Sequence, residues 1–183
     1  MKKFLALILA AMMALACVGA IAEEDAGFDE YPVGDGEEQE VGFMTMSMVY
    51  FQPVDMAPAD AATAKEDADL HIEVDLTANE NGYGFPVDAW VPYLTIDYVV
   101  KDQESGATAA EGTMMPMAAS DGPHYGDNIK LAEGNYSITI YIKSPAENGY
   151  LLHVDAETGV DEHEFWAEPL TATWDNWAFI KQW

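Results

Sequence analysis

The chain has 183 residues, half of them apolar, with 33 Asp and Glu against 7 lysines, no arginine, and a net charge of −26. A surface of that sign repels nucleic acid and anionic lipid and attracts cations. The single cysteine, Cys17, rules out an intramolecular disulfide, a Cys-type zinc site and an iron–sulfur cluster.

The first element is an export signal. Lys2 and Lys3 precede an apolar run from Phe4 to about Gly19, and Ala20-Ile21-Ala22 is a small-residue cleavage site before Glu23. Export places the protein in the periplasm or another extracytoplasmic compartment. Losing residues 1–22 removes two lysines and no acid, so the charge falls from −26 to −28. A competing reading acylates Cys17 as a lipoprotein anchor; Ala14, where such sites prefer leucine, favours cleavage after Ala22. No second apolar stretch is long enough to span a membrane.

Residues 23–41 are acidic and poor in large apolar side chains, which predicts a flexible lead at least up to Tyr31. Residues 42–183 then read as one domain. "FMTMSMVYFQ" alternates and puts Met44, Met46 and Met48 on one side of an extended chain. In "ADLHIEVDLT", Leu70, Ile72, Val74 and Leu76 face one way and His71, Glu73 and Asp75 the other. "PYLTIDYVV" and "NYSITIYIK" alternate in the same manner. "ATAAEGTMM", "GYLLHVD" and "TATWDNWAFIKQ" are further extended candidates, with turn signals such as "NENGYG", "SDGPHYGDN" and "AEGN" between. Only "PADAATAKEDAD" has any helical look. Short strands with spaced turns and no long helix predict an antiparallel β-sandwich.

Several side chains could carry chemistry. His71 and Glu73 share a strand face, close enough to ligate one metal; the plain alternative is a solvated face. Met117 and His124 stand seven apart across "AASDGP", a turn able to bring a thioether and an imidazole together. That pair suits copper, although methionine more often fills a core gap. The Met44, Met46 and Met48 stripe reads as a Cu(I) site or, more plainly, as packing. His153 ends an apolar stretch, and His163 lies among acids. No nucleophile motif, phosphate-binding glycine loop or zinc helix is present.

The stretches "VYFQPVDM", "ADLHIEVDL", "GFPVDAWVPYLTIDY", "GTMMPMAASDGPHYGDNIKL", "GNYSITIYIKSP" and "HVDAETGV" occur in this order between residues 49 and 160. In them the chain resembles the periplasmic iron-transport accessory proteins, copper binders often encoded beside an iron permease. The resemblance implies an immunoglobulin-like β-sandwich that forms a homodimer with metal sites at its interface. It assigns His71, Met117 and His124 as metal ligands, His153 as a ligand offered by the neighbouring subunit, and Glu73 as a carboxylate that approaches the metal. The metals implied are copper, with iron or manganese at or near the same site, and the implied partner is an inner-membrane iron permease. The acidic lead and the Met44, Met46 and Met48 stripe lie outside the shared pattern.

The function expected is binding copper and iron and delivering iron to that permease. A mono-copper enzyme oxidising or reducing iron is the alternative, as is copper buffering without an iron role. Imidazole ligands predict that binding weakens below about pH 6.

Overall fold

The computed structural model describes residues 28–183; the signal segment, Cys17 and the start of the lead lie outside the described residues. Nine strands follow in chain order: β1 (Tyr31–Pro32), β2 (Gln39–Val41), β3 (Met44–Phe51), β4 (Leu70–Ala78), β5 (Thr95–Asp102), β6 (Thr108–Ala118), β7 (Pro123–Ile129), β8 (Gly134–Lys143) and β9 (Leu170–Phe179). The predicted all-β antiparallel class holds. The helical-looking "PADAATAKEDAD" contributes only a single 3-10 turn, Lys65–Asp67.

The strands form one antiparallel sheet in the order β1-β3-β4-β7-β6-β5-β8-β9, with β2 also paired to β3. The path is unbroken because β6 serves both halves. Its first part, Thr108 to Met114, pairs with β5, and its last part, Met115 to Ala118, pairs with β7. The sheet curls until its ends meet. Tyr50 of β3 packs against Trp177 and, edge-on, against Phe179 of β9, and the Gln39 side-chain amide donates to the Thr173 carbonyl at 2.7 Å.

Period-two alternation fills the interior. Ile72, Val74 and Leu76 from β4 meet Ile96, Tyr98 and Val100 from β5, Ile138, Ile140 and Ile142 from β8, and Trp174 from β9. Met44, Met46 and Met48 are 0%, 1% and 2% exposed in this same core. The methionine stripe is therefore packing: its thioethers point away from the polar face that carries His71 and Glu73.

Three expectations need correction. The stretch expected as a flexible lead supplies β1 and β2, because Val33 is fully buried and ties it down. The extended candidate "GYLLHVD" is no strand; it runs as a loop on which Leu151 is 86% exposed. The "SDGPHYGDN" turn signal is also narrower than it reads. The hairpin closes at Ala119 and Gly122, and Pro123 onward is strand β7.

The stripe's role can be tested by truncation. Met46→Ala is expected to destabilise the protein by about 2–5 kcal/mol in denaturant unfolding. The volume-conserving Met46→Leu should cost less than about 1.5 kcal/mol and leave metal affinity unchanged.

Candidate metal centre

Register decides which side chains meet. Glu73 of β4 lies opposite Gly126 of β7, which lies opposite Met115 of β6, and Met117 lies opposite His124. Facing positions share a side of the sheet, as do residues two apart on one strand. His71, Glu73, His124 and Met117 therefore all project from one face, the face away from the core.

At this point that face is buried rather than exposed to bulk solvent. His71, Glu73 and His124 are 1%, 4% and 5% exposed. They open into a cavity of about 770 Å³, walled by Phe28 and Glu30, the loop after β3 including Met56, and the β6–β7 hairpin. Met117 is half-buried in the same wall. One candidate ligand atom from each of His71, Glu73 and His124 lies within 4.8 Å of the others. A Cβ at Gly126 would fall 2.6 Å from His71 Nε2 and 2.8 Å from the Ile72 carbonyl oxygen, so glycine there makes room for the imidazole.

The electrostatics are those of titratable groups that burial holds uncharged. Burial, then His124, push His71 down to about 4, against the opposing effect of its hydrogen bond with Asn128. Burial lowers His124 as well, although Asp75 and Asp121 pull it back up. Burial pushes Glu73 up to about 8, helped by the carboxylates of Asp75, Glu30 and Asp121. His124 Nδ1 and Glu73 Oε1 are 3.1 Å apart. Because burial favours the uncharged form of each, we read this contact as a neutral hydrogen bond rather than an ion pair.

Four sequence-predicted residues thus come together and one does not. His153 stands in the loop before β9 with its side chain 74% exposed, and its Nε2 is 3.0 Å from Asp155. His163 is also exposed and remote from the cluster. Sequence reading missed Glu30, Met56, Asp121 and Asn128. Glu30 fell in the expected lead, and nothing local marks it as a cavity wall.

The residues fit a cation. His71 Nε2 is buried with no hydrogen-bond partner, and an uncharged imidazole pair beside a thioether is a donor set for copper. Glu73 adds a hard oxygen ligand within the same group.

Comparison with known proteins gives a consistent picture. The family model described as Fe2+ transport protein matches residues 27–180. A 34 kDa membrane antigen of Treponema pallidum is 47% identical over 161 residues, covering 85% of this chain and 76% of its own. The copper-reconstituted P19 protein of Campylobacter jejuni superposes with a TM-score of 0.72 at 41% identity, covering 80% of this chain and 94% of its own. FetP of a uropathogenic Escherichia coli, recombinantly expressed in the periplasm, gives 0.74 at 42% identity, covering 82% and 97%. Among the described residues no helix is long and apolar enough to cross a membrane.

Burial shifts the pH dependence expected from sequence. With His71 at about 4, protons compete for it well below pH 6. With Glu73 at about 8, its carboxyl holds a proton at neutral pH that a carboxylate-bound cation must displace. Calorimetric titration at pH 6.5 in buffers of different ionisation enthalpy should therefore show proton release on cation binding. The release should fade above about pH 9 and be smaller in Glu73→Gln. Gly126→Ala should push the His71 ring out of place, lose cation affinity and cost about 1–3 kcal/mol of stability.

Proposed function

Given that the chain belongs to the Fe2+ transport protein family, we propose that it is an extracytoplasmic copper- and iron-binding protein that assists iron uptake by delivering iron to a membrane permease. The observation that carries this reading is the buried His71 Nε2, without a partner, facing the same cavity as His124, Glu73 and Met117. Two imidazoles and a thioether hold copper in either oxidation state, and copper there supplies one-electron chemistry to a neighbouring iron. Glu73 supplies the harder oxygen that suits iron or manganese.

His153 completes the set from a second copy of the chain. Its exposure supports this, as does that of its neighbours Leu151 and Val154, which are 86% and 44% exposed. Apolar side chains standing out on both sides of an exposed imidazole favour burial against another subunit. In the homodimer, the halves of the curled sheet act as the two layers of an immunoglobulin-like sandwich, a reading supported by the single core between them. The signal segment directs the chain to the periplasm or its equivalent, and the acidic surface gathers cations near the cavity mouth.

Titration with Cu2+ followed by electron paramagnetic resonance tests the reading. One nitrogen-coordinated copper per chain is expected, lost in His124→Ala and weakened in Met117→Ala. His153→Ala should weaken copper binding without unfolding the protein, and Leu151→Glu should halve the mass measured by light scattering. Weak, multiple, oxygen-only binding unchanged by His124→Ala would sink the metal site.

A further inference from the structure

The geometry points to Asn128 as the positioning residue that fixes the tautomer of His71 and aims its bare nitrogen into the cavity. This inference rests on His71 being a metal ligand, the reading given above.

Asn128 sits on β7 and is 1% exposed. Its amide nitrogen donates to two backbone carbonyls, those of Val54 and Thr63, each at 2.9 Å. Its amide oxygen accepts from the Val54 N–H at 3.2 Å. Carbonyls only accept and a backbone N–H only donates, so the amide has one orientation. The oxygen therefore faces His71 Nδ1, 3.1 Å away. An amide oxygen cannot donate, so Nδ1 must carry the ring proton. Nε2 is left with a lone pair, buried and unpartnered, in the space that Gly126 leaves open.

The same side chain also holds the cavity wall. Val54 and Thr63 bracket the loop whose Val54, Met56, Ala57, Pro58 and Ala61 line the cavity. Ligand and wall thus share one support. A partner on the far nitrogen fixes ring orientation and raises the basicity of a ligating histidine.

The test uses the full-length chain labelled with 15N-histidine and free of metal, together with Asn128→Leu and Asn128→Asp. Leu removes the whole network. Asp keeps an acceptor for Nδ1 and loses both donors to the wall. The expected 15N spectrum of the wild type shows His71 protonated on Nδ1 and bare on Nε2. Asn128→Asp should keep that signature, and Asn128→Leu should show mixed tautomers. Copper affinity is expected to fall about 10- to 100-fold in Asn128→Leu and less in Asn128→Asp. A wild-type His71 protonated on Nε2 would overturn the inference, and so would an Asn128→Leu variant with unchanged tautomer and affinity. If Asn128→Leu does not fold, the wild-type spectrum alone decides. If the wild type binds no copper, the metal-binding reading fails while the spectrum still answers for Asn128.

Discussion

The pairing of β4 with β7, with Glu73 facing Gly126, is the constraint from which the site follows. In an extended chain the side-chain period is two, so a slip of one residue would turn His71 and Glu73 into the core and Ile72 and Val74 out of it. The alternating apolar row on β4 forbids that slip, because burying Ile72, Val74 and Leu76 is worth about 1.5–3 kcal/mol per side chain. Core packing on one face therefore holds the ligand geometry on the other. The β6–β7 hairpin extends the same logic and sets Met117 directly across from His124.

Burying polar groups normally demands partners for them. Here the fold meets that demand unevenly. Asn128 satisfies His71 Nδ1, and Glu73 meets His124, yet His71 Nε2 faces the cavity with nothing to bind. The carboxylates of Asp75, Glu30 and Asp121 crowd near enough to help raise the proton affinity of Glu73, and Asp121 does the same for Glu30 and Asp75. In the proposed function, a cation at this site would meet both demands, by taking the lone pair and by offsetting the carboxyl cluster.

His153 obeys a different logic. It belongs to a loop closed on itself, where Val160 donates to the His153 carbonyl and Gly159 donates to the Asp155 carbonyl. Thr158 donates to Asp155 through both its backbone and its hydroxyl, which braces the carboxylate beside the imidazole. A Cβ at Gly159 would lie 2.5 Å from the Asp155 carbonyl oxygen, so the compact loop depends on that glycine. The result is an exposed histidine displayed outward, away from the cavity of its own chain.

Much of this was legible in the sequence, because strand alternation is a local property. The inward row of β4, the shared face of His71 and Glu73, and the proximity of Met117 to His124 all come from spacing of a few residues. Local pattern misled where it met a tertiary fact. The methionines of β3 alternate as a metal stripe would, but only their position inside the curled sheet decides that they are core. The acidic run at 31–41 looks unable to order itself, and it is ordered by β3, to which it pairs. "LLHVD" alternates like a strand but finds no neighbour to pair with. The burial of His71 and Glu73, the tautomer set by Asn128 and the cavity wall from Glu30 join segments tens of residues apart. The sequence by itself determined which faces are apolar and which residues stand together on one strand or across one hairpin, since those depend on a repeat of two. Only the tertiary structure decided that this part of the polar face would be buried around a cavity lined by carboxyl groups, since that depends on which distant segments come to lie over it.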